Sequence, residues 1–149
     1  MSKTQRMPHC DKSDCPVAHA TDIVGDPWSL LIIRDMLILG KHEYKEFMQS
    51  PEGISTNVLA NRLKKLVCAD LIEWINHPEY KTRKLYYLTP AGKDFIHVIV
   101  ALASWADRNM DSVSLPPEMA EKLRNNPQGI IENALRALTE WEEKYLQQS

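Results

Sequence analysis

The chain has 149 residues, 44% of them apolar, and a formal net charge of −2. This is enough for one domain with a proper core, and it is not the composition of a disordered segment. No apolar run approaches the ~20 residues of a membrane-spanning helix, and residues 1–14 lack a signal-peptide core, so the expectation is a cytoplasmic protein with no membrane partner.

Residues 1–14 read as a flexible arm. Pro16 suits the first position of a helix, where no backbone N–H is needed, and that helix should run to about Val24 and stop at Gly25-Asp26. Asp26-Pro27 opens a second helix, with Asp as N-cap and Pro in the first turn. From Trp28 to Leu39 that helix is apolar on most sides, which predicts the buried centre of the domain. Gly40 ends it.

A short helix follows over Tyr44 to Met48, with Tyr44 and Phe47 expected to face inward, and Ser50-Pro51-Glu52-Gly53 is a turn. Ser55 or Thr56 can cap the next helix. On it Leu59, Leu63 and Leu66, continued by Leu71, make a packing stripe, and the opposite face carries Asn57, Asn61, Lys64 and Cys68. Ile72 to Ile75 alternate as a half-buried strand does. Asn76 to Lys84 is a basic hairpin tip, and Lys84 to Leu88 is the returning strand. Short helix, turn, polar-faced helix and strand–basic loop–strand is the layout of a winged helix-turn-helix, which puts one helix into a DNA groove and a loop on the backbone.

Thr89-Pro90 opens a helix expected to reach about Met110. Its apolar residues surround it almost completely, whereas one domain core covers one face of a peripheral helix. The remaining face needs cover, either from a second copy of the chain or from the C-terminal segment. Ile96, Ile99, Val100 and Ala103 are assigned to a homodimer interface on this basis. Beyond Pro116-Pro117 two more helical patterns occur, to Arg124 and from Gln128 to Leu146. The second, with Ile131, Leu135, Leu138, Trp141 and Tyr145 on one stripe, should pack on the body.

The charge distribution agrees with a nucleic-acid reader. Residues 41–93 hold nine Lys/Arg against six Asp/Glu, whereas residues 111–149 hold four against seven. The positive charge therefore accompanies the helix-turn-helix, and an acidic tail masks it in the total. Ser55, Thr56, Asn57 and Asn61 lie at the end of the helix that enters a major groove and are expected to read bases. Arg62, Lys64, Lys65, Lys81, Arg83 and Lys84 are expected to meet phosphates or the minor groove.

Three cysteines, Cys10, Cys15 and Cys68, argue against a disulfide scaffold. Cys10 and Cys15 with His9 and His19 are too loosely spaced for a zinc site, so no metal and no cofactor are expected. Cys15 directly precedes a helix, and helix N-termini stabilise a thiolate, which makes it the candidate redox sensor. No phosphate loop, nucleophile elbow or His-Glu-x-x-His occurs, and no enzyme is expected.

The sequence also resembles the HxlR-type winged-helix transcriptional regulators of bacteria and archaea. The resemblance rests on Cys15-Pro16-Val17, the run from Ile23-Val24-Gly25-Asp26-Pro27-Trp28 to Arg34-Asp35, Gly53-Ile54-Ser55, Leu59 to Leu66, and Tyr87-Leu88-Thr89-Pro90-Ala91-Gly92. It covers about residues 15–108. It implies a homodimer, joined through the first and last helices of the domain, on an inverted-repeat operator. In several family members the cysteine just ahead of the first helix senses oxidants or electrophiles, and it maps onto Cys15. Cys10 and residues 111–149 depart from the family pattern.

The expected fold is mainly α (α+β), a winged helix-turn-helix with a two-stranded β-hairpin wing and a C-terminal helical extension. The arm takes residues 1–14, the DNA-binding and dimerisation domain 15–110, and the extension 111–149. The expected function is sequence-specific binding of double-stranded DNA by a homodimer, switched by oxidation or alkylation of Cys15. The alternatives are a switch by a small-molecule effector, or a winged-helix adaptor that binds protein instead of DNA.

Overall fold

The computed structural model describes residues 12–147; most of the expected arm, with Cys10, lies outside them. The elements run α1 (Pro16–Val24), α2 (Ser29–Leu37), α3 (Tyr44–Met48), α4 (Thr56–Cys68), β1 (Ile72–Asn76), β2 (Lys84–Leu88), α5 (Pro90–Asp94), α6 (Ile96–Asn109), α7 (Pro117–Asn125) and α8 (Pro127–Tyr145). The two strands pair antiparallel from Ile72↔Leu88 to Asn76↔Lys84. This is the winged helix-turn-helix with a helical extension that the hydrophobic pattern predicts. Among the described residues no helix is long and apolar enough to cross a membrane.

The core forms where the apolar stripes meet. Ile33 and Met36 of α2, Phe47 of α3, Leu59 and Leu66 of α4, Ile72 of β1 and Ile96 of α6 are all essentially without solvent contact. Each stripe follows the period of its own element. Gly92 is needed where α5 leaves the sheet. A Cβ there would sit 2.0 Å from the Leu71 carbonyl oxygen, a backbone atom that cannot swing aside. Thr89 caps the same turn, its Oγ1 accepting from the Gly92 N–H at 3.1 Å.

Three local expectations are corrected. The second helix starts at Ser29, because Pro27 and Trp28 form a turn before it. Tyr44 turns outward and donates its hydroxyl to the Thr56 carbonyl at 2.8 Å, so only Phe47 of that pair enters the core. The helix after Thr89 is broken at Phe95 into α5 and α6; the Phe95 N–H bonds to the Gly92 carbonyl, a tighter turn than the α-helical one.

The extension packs back onto the body through α2 and α6. The Trp141 ring lies on the His42 ring, with centroids 3.7 Å apart and planes 10° apart, and Tyr145 stacks on Trp141. Tyr145 also meets His77 of the wing edge-on. Lys93 reaches Glu142 at 2.5 Å, and the Arg124 fork holds Asp107 at 2.8 and 2.9 Å. His42 is thus a junction. Its carbonyl accepts from the Tyr86 N–H at 2.8 Å, and its Nδ1–H donates to the Tyr86 carbonyl at 2.7 Å.

Burial holds the His42 pKa below its usual 6.5, against the Tyr86 hydrogen bond and the nearby Glu46 and Glu142, which favour the charged form. The folded protein therefore binds fewer protons here than the unfolded chain once the pH drops below that value. His42 stabilises fully above pH ~6.5, and its contribution is lost as the pH falls through the folded pKa. Thermal melts between about pH 7.5 and 5.5 should show a falling midpoint that is flatter in His42→Gln; an equal slope in both would remove His42 as the cause.

Candidate nucleic-acid interface

The reading helix is held at both ends of its approach to α2. At the near end, Asp26 precedes α2 and does the work of a cap: its Oδ1 accepts from the Trp28 and Ser29 N–H groups at 2.9 Å each, and its Oδ2 from Ser29 Oγ at 2.5 Å. The same carboxylate accepts from Arg62 Nε of α4 at 2.8 Å, with Lys65 Nζ 3.6 Å away. Burial opposes its ionisation, but these hydrogen bonds win, and its pKa lies far below the usual carboxylate range.

At the far end, Asp35 of α2 is buried and accepts from Ser50 Oγ in the turn and from Arg34, while Lys41 donates to Ser50 Oγ at 2.7 Å and pairs with Asp35 at 3.5 Å. Arg34 in turn forks onto Glu52, at 2.7 and 3.2 Å. The turn before α4 is therefore bolted to α2 on both sides of Pro51. Gly53, at φ 74°, takes the left-handed conformation that closes it.

From this platform α4 presents its polar face. Ser55 is the N-cap, its Oγ accepting from the Val58 N–H at 3.3 Å. Ser55, Thr56, Asn57, Asn61 and Lys64 are all exposed, as is Cys68 at the last turn. Asn61 is partly engaged: its Oδ1 accepts from the Arg62 guanidinium at 2.6 Å, leaving its amide N–H groups to donate outward.

The wing is built by His77, whose Nδ1 accepts from the Glu79 and Tyr80 N–H groups at 3.1 and 3.2 Å. Lys81 is exposed at the tip. Lys84 lies 4.1 Å over the Trp74 ring. Arg83 lies over Tyr80 and donates to Glu43 Oε2 at 3.0 Å, which fastens the wing to the start of α3.

The structure thus divides the six cations expected at phosphates. Among the described residues Lys64 and Lys81 carry no ion pair, and Lys84 has only its ring contact. Arg62, Lys65 and Arg83 are committed to Asp26 and Glu43. The sequence reading missed these acidic partners, which lie about 40 positions away along the chain. Lys45, exposed beside Glu43 and the wing, is a further cation on this side, and nothing in its local sequence pattern marks it.

Of the four residues assigned to a dimer interface, Ile96 and Val100 are buried within the protomer's own core, and Ile99 and Ala103 pack partly against it. The apolar row that α6 leaves in solvent is Val98, Leu102 and Trp105, at 41, 48 and 54% exposure. Cys15 is exposed at the N-cap of α1, its N–H donating to Ser13 Oγ at 3.1 Å. Cys10 and His9 lie outside the described residues. His19 bonds through Nε2 to the Ser13 carbonyl at 2.5 Å.

A scaffold helix, a clamped turn, an exposed reading helix and a basic-tipped hairpin define a winged-helix regulator. The profile of the HxlR-like helix-turn-helix family matches residues 23–114, and the chain belongs to that family. It is 33% identical to the HTH-type transcriptional regulator YodB of Bacillus subtilis, over 63% of this chain and 84% of YodB. An uncharacterised HTH-type transcriptional regulator of Synechocystis is 29% identical over 68% of this chain and 77% of its own length. The structure of reduced YodB superposes with a TM-score of 0.54 at 30% identity, covering 68% of this chain and all of that one. PA1607, a candidate transcription factor, gives a TM-score of 0.63 at 32% identity, over 72% of this chain and 75% of its own. The protein is a transcriptional regulator of the helix-turn-helix type.

Asp26→Ala removes the cap of α2 and the anchor of α4 together. It should lower stability by about 1–2 kcal/mol, read as a shifted denaturant midpoint. An unchanged midpoint would mean that Arg62 and Lys65 find other partners.

Proposed function

We propose that the protein acts by binding rather than catalysis, as a homodimer that places α4 in successive major grooves of an inverted-repeat operator. The observation that carries this reading is the exposed polar face at the start of α4, presented by a turn fixed to α2 at both ends. Ser55, Thr56, Asn57 and Asn61 read bases. Lys64, Lys81 and Lys84 meet phosphates, and Arg62, Lys65 and Arg83 act first as positioning residues that aim the helix and wing. Asn61 Oδ1 keeps a second lone pair beside the one Arg62 occupies, so it can accept from adenine while the anchor stays in place. The exposed row Val98, Leu102 and Trp105 supports a second copy as the cover of α6.

Cys15 is the site of a thiol switch in this reading. Its exposure at a helix N-cap supports access by oxidants and electrophiles.

Selection from fragmented genomic DNA with the reduced protein should enrich one inverted-repeat sequence. Oxidation with diamide should abolish the enrichment, reductant should restore it, and Cys15→Ser should bind irrespective of redox state. Failure to enrich any sequence in either state would sink the operator reading; enrichment that ignores diamide would sink only the switch. On the enriched site Asn61→Ala should cost about 1–3 kcal/mol and relax one base preference. Lys81→Ala should weaken all sequences alike and flatten the salt slope by about one unit. A steep slope retained in Lys81→Ala would take that residue off the backbone.

A further inference from the structure

The helices that follow the family-matched stretch border an open-sided cavity of about 430 Å³ against the end of α2. This lies within the range of small-molecule sites. Its walls are apolar, with Met36, Ile38, Leu39, Met119, Ala134 and Trp141 among them. Ile38, Leu39 and Met119 are 38, 53 and 38% exposed, so bulky apolar side chains stand in water around this space instead of closing it. Lys122 and Asn133 lie at its exposed margin.

One buried polar group also lines it. His42 is 4% exposed. The Tyr86 carbonyl can only accept, so the Nδ1 that bonds it carries the hydrogen, and Nε2 of the neutral ring carries a lone pair. Among the described residues that nitrogen has no hydrogen-bond partner, yet it is not fully occluded. A neutral acceptor among apolar walls calls for a donor on an apolar body. A carboxylate cannot donate to it, and Lys122, the one cation of the lining, stands at the exposed margin, where it would hold an anion away from the apolar interior.

We propose that this cavity is an effector site for a neutral aromatic alcohol, whose ring fills the space between α2 and the α7–α8 extension and whose hydroxyl donates to His42 Nε2. The effector role rests on the regulator reading; the binding site does not. The route to DNA is short. The residue that receives the hydroxyl holds β2 of the wing through both its carbonyl and its Nδ1. The Trp141–Tyr145 stack above it reaches His77, which shapes the wing tip. A ligand that reseats His42 or Trp141 changes the wing's position relative to α4.

The test is isothermal calorimetry of the full chain, without DNA, against 2-naphthol and against 2-methoxynaphthalene, which has the same ring system and no donor. We expect 2-naphthol to bind one per chain and the methyl ether to bind about tenfold more weakly or not at all. Ala137→Trp, which fills the cavity, should abolish the heat with the fold intact by circular dichroism; Met119→Trp serves should that variant unfold. Equal binding of the two compounds overturns the role of His42. Binding untouched by the tryptophans overturns the location, and no heat from either compound up to about 1 mM overturns the site. On an enriched operator, 2-naphthol should shift the DNA-binding midpoint about tenfold. A ligand that binds and leaves that midpoint unmoved overturns the effector role alone. A protein that enriches no operator yet still binds 2-naphthol refutes the regulator reading and not the site.

Discussion

Everything outward of the core depends on where Asp26 holds Arg62. A winged helix reads DNA only if one helix stands at a fixed angle to its scaffold, and apolar ridges packed into grooves set that angle only to within about 15–20°. The carboxylate of Asp26 removes that freedom at one point. It ends the approach to α2, caps its first turn, and takes Arg62 Nε of α4 on the same Oδ1 that caps. The second fixed point is Asp35, which ties the turn through Ser50. Two points fix a rod where one would leave a pivot, and Arg83 with Glu43 ties the wing to the start of α3 in the same way.

The local pattern of the chain carried most of the architecture. Leu59, Leu63 and Leu66 share a helical stripe in the sequence and are buried in the fold, and Asn57, Asn61 and Lys64 fall on the opposite face as their spacing requires. The hairpin ends and the extension's inward stripe were legible for the same reason. What was not legible is pairing at long sequence separation. Arg62, Lys65 and Arg83 look like any exposed cation until the fold brings Asp26 and Glu43 beside them, and periodicity has no term for that. Composition likewise shows that the α6 segment is apolar all round. It cannot say which side the chain's own core takes, so Ile96 and Val100 were assigned outward and are buried inward.

The extension is more than a cover. α8 packs on α2 and α6, and its last turn meets His77 of the wing, so the segment outside the family-matched residues touches both the scaffold and the hairpin. His42 is the meeting point, held to β2 on one side and covered by Trp141 on the other. Its low proton affinity follows from that enclosure.

The division of α4 into three sectors has a consequence for how such regulators diverge. One sector is core, a second is spent on anchoring through Arg62 and Lys65, and the third, around Asn57, Ala60, Lys64 and Cys68, faces outward with little internal duty. Substitutions in that third sector disturb neither the packing nor the anchor. The outward sector can therefore change one residue at a time while the stability of the scaffold is carried along unchanged.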